Sequence, residues 1–342
     1  MICPKCGYEN SNNSIYCSKC GEKLSGKGGN PTSTGSAFWP LAGILAGFLV
    51  IGGTLLLTQS QVKQKDVSQE TKTQEEAATS VSGKKETDLN NNEEEVVSDD
   101  EYIVRFNDPE LQKSVCNALG IQNREITVNE AKDVTKLDLS GPDNASGQIT
   151  DLTGLSSFVW LEELDLSNNQ ISNLGELSKL ERLKTLHLEK NRISDVSPVS
   201  SLSRLQLLDL ENNNITDISS LGNLTQLTVL DIRNNNISDI SVLRNLGKLK
   251  SLYMRKNKIS DISSISELYA IRYLSIGENN IEDINALSYL TKLDHLIICD
   301  NNITDISVIK NFPRLKYLEI QGNPINNYEP LSYLPNNCKV TR

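Results

Sequence analysis

Four cysteines in the first twenty residues have the spacing for metal chemistry. Cys3-Pro4-Lys5-Cys6-Gly7 returns after a gap of ten residues as Cys17-Ser18-Lys19-Cys20-Gly21. Two C-x-x-C pairs can set four thiolates around one tetrahedral Zn²⁺, and the closed four-thiolate set is structural rather than catalytic. The glycine in each knuckle relieves a tight turn, and the lysine offsets the negative charge of the thiolates. Two disulfides are the alternative reading of the same four residues. About 24 residues cannot build an apolar core of their own, so the metal would supply the folding free energy. Elsewhere the types needed for catalysis are scarce. The two histidines, His187 and His295, are far apart in sequence, and no nucleophile–base–orienter set, P-loop or G-x-G-x-x-G stands beside them. The expectation is a binding protein, not an enzyme.

The remaining chemistry depends on a repeating element. Asn169, Asn191, Asn213, Asn235, Asn257, Asn279, Asn301 and Asn323 recur every 22 residues. Around each, the unit that begins at Leu161 reads L-x-x-L-x-L-x-x-N-x-I-x-x-L-x-x-L-x-x-L, the pattern of a leucine-rich repeat. Within one unit, Leu230 and Ile232 alternate as inward residues of a short strand. Ile237, Ile240, Leu243 and Leu246 then come at threes, the period of a 3₁₀-like turn that returns the chain to the next strand. One coil cannot bury both its apolar edges, so stability must come from stacking coil on coil. The Asn column is expected to be a ladder of buried amides bonding neighbouring backbone. Asp195, Asp217, Asp239, Asp261, Asp283 and Asp305 are expected to cap the outer turns. A calcium ridge is the alternative for these aspartates, disfavoured because a 22-residue spacing strings them out instead of gathering them around one ion.

From about Tyr102 to Arg342 the units, the recurrent I-S/T-D-I step and the segment before them resemble the internalin-type leucine-rich repeat family of bacterial surface proteins. The fold expected is an α/β solenoid of about nine coils, with a parallel concave sheet, a 3₁₀ or irregular convex side and a helical cap at the start. Val134, Leu137, Leu139, Ile149, Leu152, Leu155 and Phe158 fit the extra coil, which carries a short Gly/Pro/Asp/Asn insertion. Asp108-Pro109, then Leu111, Val115, Ala118 and Leu119, with Gly120 at the stop, predict the amphipathic cap helix. Leu331, Leu334 and Val340 finish the array.

On such a scaffold the third, fifth and seventh residues of each unit face the concave side. The third column ends Tyr273, His295, Tyr317; the fifth contains Tyr253; the seventh contains Arg233 and Arg255. Tyr and Arg dominate binding hot spots, so Tyr253, Tyr273, His295, Tyr317, Arg233 and Arg255 form the candidate ligand patch. The alternative is a purely structural role, since Tyr is a good strand residue and stacked aromatic pairs stabilise a sheet.

Positioning on the cell is read from the first hundred residues. Ala37 to Thr58 is a run of 22 uncharged, mainly apolar residues, enough to cross about 30 Å of hydrocarbon. It starts too far in and runs too long for a cleaved signal peptide, and no A-x-A-like site follows. Thiolate ligands favour a reducing compartment, which sets the amino terminus in the cytoplasm and the repeats outside. The ribbon itself resembles small zinc ribbons that begin many bacterial membrane proteins. Residues 59–101 hold 12 acids and 5 lysines with few apolar groups, the composition of a disordered tether spanning roughly 36 Å as a coil. The organisation is thus a zinc ribbon (1–24), linker (25–36), transmembrane helix (37–58), acidic tether (59–101), cap (102–133) and repeats with a short carboxy-terminal cap (134–342). With a formal net charge of −10, nucleic acid is not an expected partner. A protein or envelope ligand on the concave face is expected; the alternative is a cytoplasmic or metal-responsive membrane scaffold regulated by the ribbon. Cys116, Cys299 and Cys338 leave their pairing open.

Overall fold

The computed structural model describes residues 102–122, 124–142 and 146–342. The zinc-ribbon cysteines, the apolar run 37–58 and the acidic stretch 59–101 lie outside the described residues. Among the described residues no helix is long and apolar enough to cross a membrane.

Ten three-residue strands form one parallel sheet in strict sequence order. They are β1 Lys136–Asp138, β2 Glu163–Asp165, β3 Thr185–His187, β4 Leu207–Asp209, β5 Val229–Asp231, β6 Ser251–Tyr253, β7 Tyr273–Ser275, β8 His295–Ile297, β9 Tyr317–Glu319 and β10 Lys339–Thr341. The register shifts by 22 from strand to strand throughout β2–β9, so each repeat position forms a straight column: Leu208 lies beside Leu186 and Leu230. The middle leucine of each of these strands is buried, as is the apolar residue two places later.

The return path is a short 3₁₀ turn, five residues long in most coils, as at Ser219–Asn223 and Ser241–Asn245. The expected aspartate caps are present: Asp195, Asp217, Asp239, Asp261, Asp283 and Asp305 each accept a backbone N–H two residues on at 2.7–2.8 Å. Asp151, Asn173 and Asn327 do the same in the outermost coils, where an amide oxygen serves as well as a carboxylate.

The Asn ladder is as expected. Asn235 Oδ1 accepts the Ile215 amide at 3.0 Å, while its Nδ2 donates to Leu210 O at 2.9 Å and Ile232 O at 3.2 Å. One side chain thereby satisfies polar backbone in two coils that the sheet leaves unpaired, and the pattern repeats from Asn169 to Asn323. The residue before each Asn turns the chain through the left-handed region, with φ of 50–59° from Asn168 to Asp300 and 71° at Gly322.

At the amino-terminal end, α1 (Pro109–Ala118) starts on Asp108, whose side chain accepts from the Glu110 and Leu111 amides, and stops before Gly120 at φ 67°. Its buried face is Leu111, Val115 and Cys116. Ala118 is exposed rather than inward, because the helix ends there and its last turn leaves the core. A second helix, α2 (Val128–Lys132), carries a complete Thr127–Glu130 capping box and was not foreseen. The extra coil is as expected: Leu137, Leu139, Ile149, Leu152, Leu155 and Phe158 are all buried. At the other end β10 pairs with β9, so the sheet has one strand more than nine coils imply. Its sequence lacks the leucine pattern because only one side of Val340 has a coil to pack on. Cys116, Cys299 and Cys338 are free thiols, the first two buried.

Candidate functional site on the concave face

The concave face divides into two chemically different halves. On the carboxy-terminal half, parallel register stacks the third column directly: Tyr273 beside His295, His295 beside Tyr317, Tyr317 beside Lys339. The Tyr273 and His295 rings lie 4.6 Å apart, 18° from parallel, and His295 and Tyr317 lie 6.2 Å apart. Lys339 Nζ sits 5.8 Å from the Tyr317 ring centroid, in cation–π range. All three rings are half-buried and held by one another in the stack. Burial holds His295 below the usual histidine range, helped by Lys316 and opposed by Asp294. The imidazole is therefore uncharged near neutrality. Lys316 Nζ lies 3.2 Å from Asp294 Oδ1 as an ion pair outside hydrogen-bond geometry.

The other three predicted residues are not part of that strip. Tyr253 is only 9 % exposed and lies in the fifth column with the Arg233 guanidinium 5.6 Å from its ring. Its place in β6, with Asp231 and Ser275 on the neighbouring strands, leaves the ring covered. The hydroxyls of Tyr253 and Ser251 lie near each other without a well-formed hydrogen bond. Arg255 is engaged with Glu278 at 2.6 Å. Arg233 is committed more deeply, its Nε to both Asp231 oxygens at 2.9 and 2.8 Å and its NH2 group to Glu211 at 2.6 Å. Burial works against the guanidinium charge, but Asp231 beside it holds its pKa above the ordinary arginine value. Of the six expected residues the structure stacks Tyr273, His295 and Tyr317 into one strip, joined by Lys339, and sets the two arginines in ion pairs within the domain. Lys339 was missed because it belongs to the tenth strand.

The amino-terminal half is acidic. Asp209 and Asp231 occupy adjacent places in the fifth column and are 3 % and 0 % exposed. Burial raises the Asp209 carboxyl well above the usual carboxylate range, with Asp231 and Glu189 adding to it. Asp231 is raised by burial against the opposing pull of Arg233. Glu189 and Glu211, in the seventh column, are raised chiefly by burial too. His187 completes this half, its Nδ1 3.8 Å from Glu189 Oε2. The repeat frame places His187, Asp209 and Asp231 in one column, whereas Glu189 and Glu211 were missed; burial was not legible because it depends on how the coils pack.

Comparison with known proteins follows the same lines. A zinc-ribbon domain matches residues 2–24. Internalin C2 of Listeria monocytogenes is 28% identical, with 69% of this chain and 93% of that chain covered and a TM-score of 0.55. A leucine-rich repeat protein of Leptospira interrogans (24% identity, 63% and 62% covered, TM-score 0.55) and the functional domain of InlJ of Listeria monocytogenes (22%, 67% and 54%, 0.56) share the fold. No curated protein sequence matches the chain. The leucine-rich repeat region matches residues 144–336, more than half of the sequence, and the chain belongs to the leucine-rich repeat family.

Proposed function

We propose that this protein is a membrane-anchored recognition module that binds a protein or other envelope ligand through the carboxy-terminal half of its concave face. The observation that carries this reading is the continuous half-open ladder Tyr273–His295–Tyr317 ending in Lys339. Rings held by stacking lose little conformational entropy on binding and offer apolar faces with polar tips. The residues are bound to one another by contacts suited to display, and the neutral His295 lets an apolar group lie across the rings without electrostatic penalty.

In this reading Ala37–Thr58 is the single membrane span, the amino terminus is cytoplasmic, and residues 59–101 hold the solenoid off the bilayer. Cys3, Cys6, Cys17 and Cys20 would hold a structural Zn²⁺; four thiolates in two knuckles suit its tetrahedral demand, and the metal would supply folding energy to the ribbon. Protease shaving of intact cells, with a membrane-impermeant thiol reagent as control, tests the topology: loss of the repeats with silent ribbon cysteines supports it, and a protected solenoid with a labelled ribbon overturns it.

Binding is tested with a photo-crosslinking residue at position 317, and at Ser288 on the convex side as the control. A discrete adduct from 317 that disappears in Tyr273→Ala, with an unchanged melting temperature, is the expected result. Equal adducts from both positions, or none from 317, overturn the concave reading.

A further inference from the structure

The acidic half of the concave face contains a set of side chains that the aromatic ladder does not use. His187 is the last residue of β3, and Glu189 follows two places later on the same face of the chain, as the period of two requires. Asp209 is the direct cross-strand partner of His187 in β4. One ligand atom from each of the three lies within 4.8 Å of the others. That convergence comes from parallel register, which sets residues 22 apart side by side.

The surroundings leave this set without a counterion. Glu189, Asp209, Glu211 and Asp231 are four carboxylates close to one guanidinium, and Arg233 is spent on Asp231 and Glu211. Asp165, beside His187 in β2, adds another carboxylate. Glu189 Oε2, the oxygen facing His187, is buried and accepts no hydrogen bond. Asp209 is 3 % exposed, and among the described residues the only hydrogen bond to its carboxylate comes from the Glu211 amide at 3.0 Å. A buried carboxylate normally finds a cation or several donors; here Glu189 and Asp209 face an imidazole, and among the described residues no Lys or Arg side chain bonds to either.

We propose that His187, Glu189 and Asp209 bind one divalent transition-metal cation on the concave face. One imidazole and two carboxylates suit Zn²⁺, Mn²⁺ or Co²⁺; an all-oxygen calcium or magnesium site would not include the histidine. The present separations, within 4.8 Å, exceed those of atoms sharing an ion, so rotation of the Glu189 and His187 side chains closes the set. Three protein ligands leave at least one coordination position for water or for a donor group of a partner. The site is separate from the thiolate set at the amino terminus and independent of the aromatic ladder.

The test is a Co²⁺ titration of the full chain loaded beforehand with a single equivalent of Zn²⁺, which the four thiolates take in preference to a site of one imidazole and two carboxylates. The wild type is expected to take up one equivalent, with visible d–d bands and no thiolate charge-transfer band. Affinity is expected to fall at least tenfold in both His187→Ala and Glu189→Gln, and to stay unchanged in His295→Ala. Asp209→Asn, nearly isosteric and relieved of a buried charge, serves as the third ligand variant in case His187→Ala melts early; circular dichroism without metal establishes that each variant is folded. A wild type that binds no Co²⁺ below about millimolar concentration overturns the proposal. So does binding that persists in the folded ligand variants, or that carries a thiolate signature.

Discussion

At the scale of single residues the Asn column shows how much one side chain can satisfy. Asn235 is 8 % exposed and holds backbone groups of two coils through its amide. Asn235→Ala leaves several buried donors and acceptors unpaired, each costing about 1–3 kcal/mol, so a loss of roughly 3 kcal/mol by denaturant unfolding is expected, against little change for the exposed neighbour Asn236→Ala. His295 is a second case. Burial lowers its pKa in the folded state, so between that value and the unfolded value of about 6.5 the unfolded chain binds more protons. The contribution to stability is complete above the unfolded value and is lost as pH falls through the folded one. An NMR titration should place the His295 midpoint below the free-histidine value of about 6.5, and a midpoint above it would contradict the burial described. The asparagines were legible because a polar type recurs without a break at a spacing that matches the apolar frame. The ionisation of His295 was not, because it follows from how deeply the stacked coils bury the ring, with Lys316 of the next coil adding to it.

At the scale of elements, the tight turn before each Asn and the helical cap are where the repeat departs from its own average. The turn position has φ of 59° at Lys256, a conformation that costs an L-residue with a Cβ roughly 1 kcal/mol, and the side chain is exposed. Lys256→Gly should therefore raise stability by a few tenths of a kcal/mol after the added unfolded-state entropy is counted. Gly322→Ala should do the reverse, since its φ is 71° and a new Cβ would meet the Asp300 carboxylate; the pair of thermal melts checks both. In the cap, Asp108 links two elements: one oxygen caps α1 and the other accepts from the Thr150 amide at 2.7 Å, the Thr150 hydroxyl at 2.9 Å and the Asp151 amide at 3.1 Å. Those bonds lower its pKa although burial opposes them. Asp108 before Pro109 announced a helix start in the sequence. Its second role did not show, because Thr150 is 42 residues away and no periodicity connects them. The capping box of α2 is a local signal of the kind that sequence can carry, T-x-x-E before a short apolar turn, but five residues are too few for helical periodicity to stand out.

At the scale of the whole molecule, a solenoid distributes stability over nearest-neighbour interfaces, so its ends should open before its middle. Hydrogen exchange is expected to be fastest at β10 and the cap, and Asp108→Ala, which detaches the cap from the first coil, should speed exchange at β1 and β2 while leaving β5–β7 protected. Uniform acceleration along the array would show a more cooperative unit than nearest-neighbour stacking allows. The sequence by itself determined the repeat period, the columns, the Asn ladder, the aspartate caps and the residues that face the concave side, because each depends on local periods of two, three and 22. Only the tertiary structure decided which of those concave residues remain open. Parallel register stacks Tyr273, His295 and Tyr317 into one strip, and packing of coil on coil buries Tyr253 and sets Arg233 against Asp231. It also gathers His187, Glu189 and Asp209. Exposure and counterion pairing are set by the distance between neighbouring coils, and that distance is a property of the packed stack, not of any one repeat.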